Sequence, residues 1–387
     1  MKKIVFIIRK ELLESVRDTR TFLMVVIMPL FLYPILFMTM GYFTQMEKTR
    51  EEEIVYKVGI VSPYSDSDFI NHIKKSKKIK IIMGDDPERM LKNEKVKAVI
   101  EIKTIERIKE YTIHYDGADK ESQNAVKRVE KIIAGYKKEL VKKELIDQGL
   151  SEKILEPFTV SKHNIATAKR MGGFLLGTLI PYLLIIISFS GALHASSDIV
   201  AGEKERRTIE TLLVTDVKRG ELVLGKVSTV FIISLLTAIS GLLGLIVTFY
   251  SGFSIMSSGG IASLSIPWFS CLLMLIVMCP LIWLFSSLLL SIGVIAKNIK
   301  EANTYGTYLL FLVVMIAVFS IMRLTSPGWK LFFIPVLNTA ILQQQILVGQ
   351  FDILNFCRTI SSSILYAIII FLLAKSIFEK EEILYRS

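Results

Sequence analysis

The chain is poor in residues that crosslink a fold or bind a metal. Among its 387 residues, three are cysteine and four are histidine. Cys271, Cys279 and Cys357 lie in or beside long apolar runs, and residues 44–171 contain no cysteine. This excludes a disulfide-stapled external scaffold and a zinc knuckle built from clustered Cys and His. Residues 44–171 must therefore fold on an apolar core of their own.

Charge is absent from six long stretches of the sequence. These uncharged runs are Thr21–Phe43, Gly172–Ala195, Val227–Tyr250, Pro267–Ala296, Thr304–Met322 and Thr359–Ala374. Hydrophobic residues make up 52% of the chain, and the mean hydropathy is +0.50. A helix rises about 1.5 Å per residue and satisfies its own backbone in lipid, so runs of this length can cross or nearly cross a bilayer core. The fold class predicted is an α-helical polytopic membrane protein with six transmembrane helices and an inserted extracellular α/β domain.

No carboxylate interrupts these runs, and no cluster of catalytic groups faces either surface. Acidic side chains inside the bilayer usually mark proton- or cation-coupled carriers, so their absence argues against that class. The missing nucleophile–base pair and metal set make a membrane enzyme the weakest reading. The net charge of +11 is spread among acidic residues or flanks helix ends, which favours a solvated, topology-setting surface over nucleic-acid binding.

Basic residues concentrate in the short connections, and this predicts the orientation. They are Lys2, Lys3, Arg9, Lys10, Arg17 and Arg20 before the first run, and Lys204, Arg206, Arg207, Lys218, Arg219 and Lys226 after the second. The positive-inside rule then puts both termini and the 196–226 loop in the cytoplasm of a multi-pass cell-membrane protein, with residues 44–171 extracellular. The first run is too long for a cleaved signal peptide, so it is expected to persist as a signal anchor.

The predicted order along the chain has eleven segments. They are a cytoplasmic amphipathic helix (1–20), a first transmembrane helix (21–43), the extracellular α/β domain (44–171), a second helix (172–195), a cytoplasmic loop (196–226), a third helix (227–250), a fourth (267–296), a fifth (304–322), an extracellular or re-entrant segment (323–358), a sixth helix (359–378) and a cytoplasmic tail (379–387). Small residues four apart at Gly173–Gly177 and Ser240–Gly244 predict helix packing sites.

The N-terminal helix is predicted to place Ile4, Val5, Ile8, Leu12 and Val16 on one apolar stripe. It would either anchor the chain at the inner membrane surface or act as a lever to a cytoplasmic partner.

Alternating patterns predict the elements of the α/β domain. Strands are expected at 55–61, 79–83, 96–102 and 110–115, with helices at 66–75 and 86–93. A long helix from about Asp119 to Gln148 would end at Gly149, and Pro157–Lys162 would return to extended structure.

Residues Gly220–Lys226 have the spacing of a phosphate-binding loop, G-x-x-x-x-G-K. Val227 follows, where such loops have the Ser or Thr that holds Mg²⁺, and the segment runs directly into an apolar run. Nucleotide binding by this chain is therefore not expected, and any ATP and Mg²⁺ would sit on a partner subunit.

The 196–226 loop combines an apolar edge with many charges. Ile209, Leu212 and Leu213 are spaced to share one helix face, and Glu203, Glu205, Arg206, Arg207 and Glu210 surround them. An apolar edge ringed by charges suits docking into a groove of a soluble domain. The alternative is a solvated loop that only sets topology.

The sequences EKERRTIETLL at 203–213 and KRGELVLGK at 218–226 closely resemble the loop between the second and third helices of type-2 ABC transporter permeases. The similarity extends over the whole chain and is strongest to the NatB-type permeases, named for ATP-driven sodium extrusion. Many relatives have Gly where Arg207 stands and Pro where Asp216 stands.

The resemblance implies that this loop couples the permease to an ABC ATPase, with two permeases and two ATPases assembled in membrane lipid. It assigns the docking to Glu203, Glu205, Arg206, Arg207, Glu210, Leu212 and Leu213, and the entry to the third helix to Gly225 and Lys226. The chain itself would be a transport subunit, not an enzyme. The metal-binding residues, if any, stay unassigned.

The cargo predicted from the subfamily is Na⁺, which neutral oxygen ligands can hold. Pathway candidates are Asn303, Thr304, Thr307, Asn338, Gln343 and Gln344. The alternative for these residues is hydrogen bonding between helices. Two other functions stay open: export of a drug, peptide or lipid-like compound, and a membrane sensor whose extracellular domain binds a ligand.

Overall fold

The computed structural model describes residues 2–62, 67–76, 78–93, 95–105, 108–150, 168–208, 217–250, 267–320 and 327–379. The chain divides into two compact units. The membrane unit comprises Met1–Phe43 and Ile165–Ser387, and the α/β unit is Thr44–Asn164. The predicted extended stretch Pro157–Lys162 lies outside the described residues.

Thirteen helices and four strands make up the described part of the chain. The helices are α1 Lys2–Arg17, α2 Thr19–Phe22, α3 Met28–Glu53, α4 Ser67–Lys74, α5 Pro87–Lys92, α6 Lys120–Asp147, α7 Ala168–Ser196, α8 Glu203–Glu205, α9 Arg219–Tyr250, α10 Trp268–Ile295, α11 Ile299–Phe319, α12 Leu337–Val348 and α13 Ile353–Glu379. The strands are β1 Tyr56–Val61, β2 Ile79–Met83, β3 Ala98–Ile105 and β4 Ile108–Tyr115. Two π-helical segments, Leu23–Ile27 and Ser197–Gly202, and a 3₁₀ helix, Trp329–Phe333, complete the described helical structure.

The α/β unit contains a four-stranded sheet of order β2-β1-β3-β4. β1 pairs in parallel with β2 and β3, and β4 is antiparallel to β3. Side chains alternate between the two faces, as strand geometry requires. Val58 and Ile100 are buried with residues of α4 and α6, whereas Val99 is buried with Met90 of α5. All four strands and three helices fall within a few residues of the predicted segments.

The long helix α6 begins and ends where its sequence signals indicate. The Asp119 side chain accepts a hydrogen bond from the Glu121 backbone N–H, which caps the N-terminus. At the other end Gly149 has φ +74°, a conformation that glycine adopts without the strain of a Cβ.

Among the residues described, six helices have a length and composition that allow them to cross a membrane. They are Leu23–Glu51, Leu179–Glu205, Arg219–Thr248, Trp268–Ile295, Ile299–Phe319 and Ile353–Glu379. Their number agrees with the prediction. The interrupted segment before the last span forms the 3₁₀ helix and the 12-residue α12. At about 1.5 Å per residue α12 is too short to span.

The small-residue packing sites allow close helix approach. A Cβ placed at Gly244 of α9 would clash with the backbone oxygen of Leu30 in α3. A Cβ at Gly177 of α7 would lie 3.5 Å from Val348 in α12. Without side-chain bulk at these positions, the backbones of neighbouring helices approach each other.

The fully buried residues of α1 lie beside the predicted apolar stripe, of which Ile4, Ile8 and Leu12 are half-buried. Ile7 and Glu11 are its buried residues, whereas Val5 and Val16 of that stripe are 60% and 63% exposed. The reason lies in α9: a Cβ at Gly225 would be 2.9 Å from Ile7 Cγ2, so the bare glycine receives Ile7 and fixes the rotation of α1.

Candidate functional site

The second span continues through a π-helical segment into the cytoplasmic loop predicted from sequence. Ser197–Gly202 forms this segment, and α8 follows it directly. A π-helix pairs residues five apart, and such segments are frequent at functional sites. Here the carbonyl oxygen of Ile199 accepts a hydrogen bond from Lys226 Nζ at 2.8 Å.

Lys226 is the centre of a buried ion network formed by Lys10, Glu11, Glu203 and Lys226. Its side chain is 0% exposed, and Nζ lies 2.6 Å from Glu203 Oε2 and 3.5 Å from Glu11 Oε1. Lys10 Nζ lies 3.4 Å from both Glu203 Oε1 and Glu11 Oε1. The network therefore joins three elements that are distant in sequence: α1, α8 and α9.

In the network two ammonium groups face the carboxylates of Glu11 and Glu203, and the exposed Glu14 carboxylate lies 3.8 Å from Lys10 Nζ. Burial raises the pKa of Glu11, as does the neighbouring Glu203 carboxylate, while Lys226 and Lys10 oppose the shift. Burial also lowers the pKa of Lys10, but the carboxylates of Glu11, Glu203 and Glu14 outweigh it, and the pKa lies above its ordinary value. Removing either partner would leave a buried charge uncompensated, which is costly in a low-dielectric interior.

The next two residues of α8 bind the connection between α10 and α11. Lys204 Nζ donates to the carbonyl oxygens of Val294 at 2.6 Å and Ala296 at 3.2 Å. The Glu205 carboxylate accepts from the Ile299 backbone N–H at 3.2 Å. The last carbonyls and first N–H groups of a helix lack intrahelical partners, so α8 satisfies the end of one span and the beginning of the next.

A left-handed residue ends α8. Arg207 has φ +58°, its N–H bonds to Lys204 O at 3.0 Å, and Thr208 N–H bonds to Glu203 O at 3.0 Å. This pair of bonds is the Schellman motif, which usually places glycine at the left-handed position. Glycine would adopt this conformation without the strain of a Cβ, so the geometry is one that glycine suits at the Arg207 position. Arg206 instead forms an exposed pair with Asp198 at 2.9 Å.

The predicted docking residues occupy different environments. Glu205, Arg206 and Arg207 are exposed, whereas Glu203 is buried in the ion network. Glu210, Leu212 and Leu213 lie outside the described residues. Sequence reasoning missed Glu11, which lies one turn after Ile7. Glu14 and Asp18 follow on the same helix face, so the sequence pattern alone does not mark Glu11 as buried.

The apparent phosphate-binding sequence lies within a helix. Residues Gly220–Lys226 are all part of α9, and the Lys226 ammonium is engaged with Glu203 and the Ile199 carbonyl. A phosphate-binding loop instead turns its backbone N–H groups and its lysine toward the ligand. In this protein the segment instead forms the first turns of the third span.

Comparison with known proteins identifies the family. Residues 5–383 match the family model described as ABC-2 family transporter protein. The chain belongs to the ABC-2 family. It is also 27% identical to the ABC transporter permease protein NatB of Bacillus subtilis (strain 168) over 390 aligned residues, which cover 97% of this chain and 98% of that protein. Membership of this family makes the chain a multi-pass permease subunit of an ABC transporter, and it implies an ABC ATPase as its partner.

In this ABC-2 permease, Asn338 of α12 forms side-chain hydrogen bonds with α13. Its Nδ2 donates to Ser362 Oγ at 3.1 Å and to Ser363 Oγ at 2.9 Å, and its Oδ1 accepts from the Thr339 backbone N–H at 2.6 Å. The amide is fully buried and engaged on both sides. The contacts with Ser362 and Ser363 are helix-to-helix hydrogen bonds of the kind that join membrane helices.

The two glutamines of α12 have different surroundings. Gln343 is fully buried, and its Nε2 lies 3.4 Å from Met274 O, while its Oε1 has no hydrogen-bond partner among the described residues. Gln344 is partly buried and packs near Gly177 of α7.

The remaining pathway candidates share one cavity at the start of α11. Asn303, Thr304 and Thr307 line a space of about 810 Å³ together with Glu205 and Lys300. Both threonine hydroxyls donate to backbone carbonyls one turn earlier, at 2.9 and 2.7 Å, which leaves their lone pairs available. Asn303 Oδ1 is buried and has no partner among the described residues.

Proposed function

We propose that this chain is the membrane subunit of an ATP-driven exporter in which two permeases assemble with two ABC ATPase subunits. In this arrangement residues 44–171 are extracellular, and both termini and the 196–226 loop are cytoplasmic. ATP and Mg²⁺ bind to the ATPase, and no cofactor is bound by this chain.

The buried ion network is the observation that carries the coupling role. A displacement of α8 would act on α9 through the Glu203–Lys226 pair and on α1 through Glu11. Lys204 and Glu205 would transmit the same displacement to the ends of α10 and α11. Close-packed and ion-paired elements deform little, so force applied to the loop would reach several helices together.

The ATPase contact is proposed to lie on the exposed side of the same loop. Glu205, Arg206 and Arg207 would form its charged rim, and Leu212 and Leu213 would provide the apolar anchor with Glu210 beside them. This division separates docking residues, which face the partner, from Glu203, which we propose acts as a positioning residue. An apolar edge entering a groove is a common mode of helix recognition.

Na⁺ is the cargo that we propose for the exporter. Its support is the likeness to NatB and the cavity in which Thr304, Thr307 and Glu205 provide oxygen atoms. Hard cations are bound by such oxygen ligands.

The test is co-expression of the permease with its ABC ATPase, followed by purification and measurement of ATP hydrolysis and export. We expect a stable complex whose ATPase rate rises with Na⁺ but not with an equal concentration of K⁺. Leu212→Ala and Leu213→Ala should lower the amount exported per ATP hydrolysed while membrane insertion is unchanged. Ser361→Ala, an exposed hydroxyl on α13, is the matched control.

The outcomes separate the parts of this proposal. Failure to isolate a complex would contradict the transporter assembly. A complex that exports, but whose ATPase rate does not depend on Na⁺, would contradict only the sodium assignment. Normal export by both loop variants would show that the docking assignment is wrong.

A further inference from the structure

Two cavities in the membrane unit adjoin each other. The polar cavity, of about 690 Å³, and the apolar cavity, of about 330 Å³, are both lined by Met24 and His194. The polar cavity is also lined by Glu14, Arg17, Asp18, Thr21, Ser197, Asp198, Arg206, Ile299 and Asn303. The apolar cavity is also lined by Val25, Met28, Pro29, Leu32, Ile186, Ile187, Ser190, Gly191 and Thr237.

The lining residues form one stripe on each of two helical segments. Along the N-terminal segment, Glu14, Asp18, Thr21, Met24, Met28 and Leu32 follow at intervals of three or four. Along α7 and its π-helical extension, Ile187, Ser190, His194 and Ser197 do the same. This spacing keeps side chains on one helix face, so the two cavities are parts of a single groove between the segments. We call it the amphiphilic groove, because it is charged at one end and apolar at the other.

The charged end presents hydrogen-bond acceptors that the protein does not use. Ser197 Oγ and Asn303 Oδ1 are buried without a partner among the described residues, and Ser197 is 2% exposed. An amide oxygen only accepts hydrogen bonds, so Asn303 Oδ1 requires a donor. Such groups are costly to leave unpaired, and in native structures they usually have a partner.

Charge at this end favours a cationic donor. Three carboxylates line the polar cavity, those of Glu14, Asp18 and Asp198. Two guanidinium groups, Arg17 and Arg206, oppose them, and Arg206 already pairs with Asp198 at 2.9 Å. Lys10 Nζ also lies 3.8 Å from Glu14 Oε2. A protonated amine would donate hydrogen bonds to the unused acceptors and form a charge-assisted hydrogen bond with a carboxylate of the cavity.

The other end of the groove suits an alkyl chain. From Met24 to Leu32 the helix rises about 12 Å, and apart from His194, Ser190 and Thr237 the lining is apolar. Methionine side chains such as Met24 and Met28 adapt to ligands of irregular shape. Apolar lining with a few polar groups at one end is typical of small-molecule sites.

We propose that the amphiphilic groove binds an amphiphilic amine. The protonated head group donates hydrogen bonds to Asn303 Oδ1, Ser197 Oγ and the Asp18 carboxylate, and the alkyl chain lies between α3 and α7. This site goes beyond Na⁺ export. Asn303 and Ile299 also line the cavity proposed for Na⁺, but binding of the amine is measured without Na⁺ transport or the ATPase.

The test uses purified full-length permease in phosphatidylcholine nanodiscs, with calorimetric titration against empty nanodiscs as the baseline. Three ligands share one tail: dodecylamine, dodecyltrimethylammonium and dodecyl sulfate. The trimethyl compound keeps the positive charge but has no N–H donor. We expect dodecylamine to bind about tenfold tighter than the trimethyl compound, because its head group donates hydrogen bonds to the unused acceptors. Dodecyl sulfate should not bind specifically.

Variants locate the site. Asn303→Leu should reduce dodecylamine affinity to the level of the trimethyl compound, while Asn303→Asp, which keeps the acceptor, should retain it. Ser190→Trp should fill the apolar cavity and abolish binding of both cationic ligands. Asn355→Leu on α13, where the amide already pairs with Arg358, is the matched control and should leave binding unchanged.

Equal affinity for all three head groups would overturn the amine assignment. Unchanged binding in both Asn303→Leu and Ser190→Trp would overturn the location. The titration needs no ATPase, so dodecylamine binding without complex formation would contradict the proposed exporter but leave the groove in place. Complex formation and export without dodecylamine binding would contradict the groove site but leave the proposed exporter in place.

Discussion

The membrane unit and the α/β unit each contain a lysine between two carboxylates, but the two clusters behave differently. In the α/β unit, Lys97 Nζ lies 2.9 Å from Asp119 Oδ2 and 3.0 Å from Glu121 Oε2, with 33% of the lysine side chain exposed. In the membrane unit, Lys226 lies between Glu203 and Glu11 and is 0% exposed. The nitrogen–oxygen distances are similar in the two clusters, so the main difference is how far each lysine is exposed to water.

Exposure to solvent determines whether the pKa of the carboxyl group in each cluster is lowered or raised. The hydrogen bond from Lys97 lowers the pKa of Asp119, since burial there is slight. Burial raises the pKa of Glu11 despite the nearby Lys226, because desolvation outweighs attraction. An exposed pair contributes little to stability, whereas a buried network is costly to break. The comparison indicates that the buried network fixes the arrangement of α1, α8 and α9 more than it adds net stability.

Removing the buried lysine should have the largest effect. Lys226→Met leaves the Glu203 and Glu11 carboxylates buried without their central cation, so we expect the free energy of unfolding to fall by about 3–5 kcal/mol. The three tryptophans, Trp268, Trp283 and Trp329, all belong to the membrane unit, so their fluorescence during unfolding in mixed micelles reports this unit.

A matched variant separates lost charge balance from lost packing. Glu11→Gln, Glu203→Gln and Lys226→Met combined remove the lysine and both carboxylates that it pairs with, while the partly exposed Lys10 keeps Glu14 as a partner. Most of the stability should therefore return. If the triple variant is as unstable as Lys226→Met alone, uncompensated charge is not the cause.

Overfilling the contact between α1 and α9 should have the next largest effect. Gly225→Leu would force its side chain into the space of Ile7 Cγ2, which already lies 2.9 Å from an added Cβ, and overpacking costs about 1–3 kcal/mol. The added Ile7→Ala change should recover part of the loss. The same fluorescence measurement applies, and independent, additive effects of the two changes would contradict a direct contact.

The exposed lysine should matter least. Lys97→Met removes a pair that water already screens, and we expect a loss of about 0–1 kcal/mol from the α/β unit. Amide hydrogen exchange of β1, β3 and β4 measures that unit separately. A loss of stability as large as that expected for Lys226→Met would contradict the conclusion that exposure to water makes the two clusters differ.

The two clusters should also respond to pH with opposite signs. The lowered pKa of Asp119 means that its contribution is present above the unfolded-state pKa and is lost as pH falls through the folded-state pKa. The raised pKa of Glu11 means that the folded state prefers the protonated acid, so stability from this group falls as pH rises through its folded-state pKa.

Glu11→Gln and Asp119→Asn test this contrast. Glu11→Gln should gain stability relative to the natural chain as pH rises, measured by tryptophan fluorescence. Asp119→Asn should lose stability relative to it over the acidic range where Asp119 ionises, measured by hydrogen exchange. Parallel pH profiles for the two variants would contradict the assigned shifts.

Much of the secondary structure could be predicted because its signals are local. Alternation over β1 and β3, the Asp119 cap and Gly149 locate the α/β elements within a few residues. The uncharged runs give the six spans. The π-helical segment Ser197–Gly202 could not be predicted in this way, because its carbonyl partner, Lys226, lies 27 residues away from Ile199 in sequence.

The candidate site was predicted only in part. The loop was located by its charges and its resemblance, and Asn303, Thr304 and Thr307 do line one cavity. The burial of Glu203 and the rotation of α1 about its axis have a common reason. Both depend on which helix packs against which, and the hydrophobic pattern of α1 allows more than one rotation.

The sequence by itself determined the class of the protein. Uncharged runs of bilayer length and basic short connections indicate a polytopic membrane protein, because lipid imposes its rules on each segment independently. The resemblance of the 203–226 loop then indicates a permease. The tertiary structure decided what the charges of that loop do. Glu203 contacts Lys226 because α1, α8 and α9 pack together. This packing depends on Gly225, which has no side chain where Ile7 of α1 contacts α9.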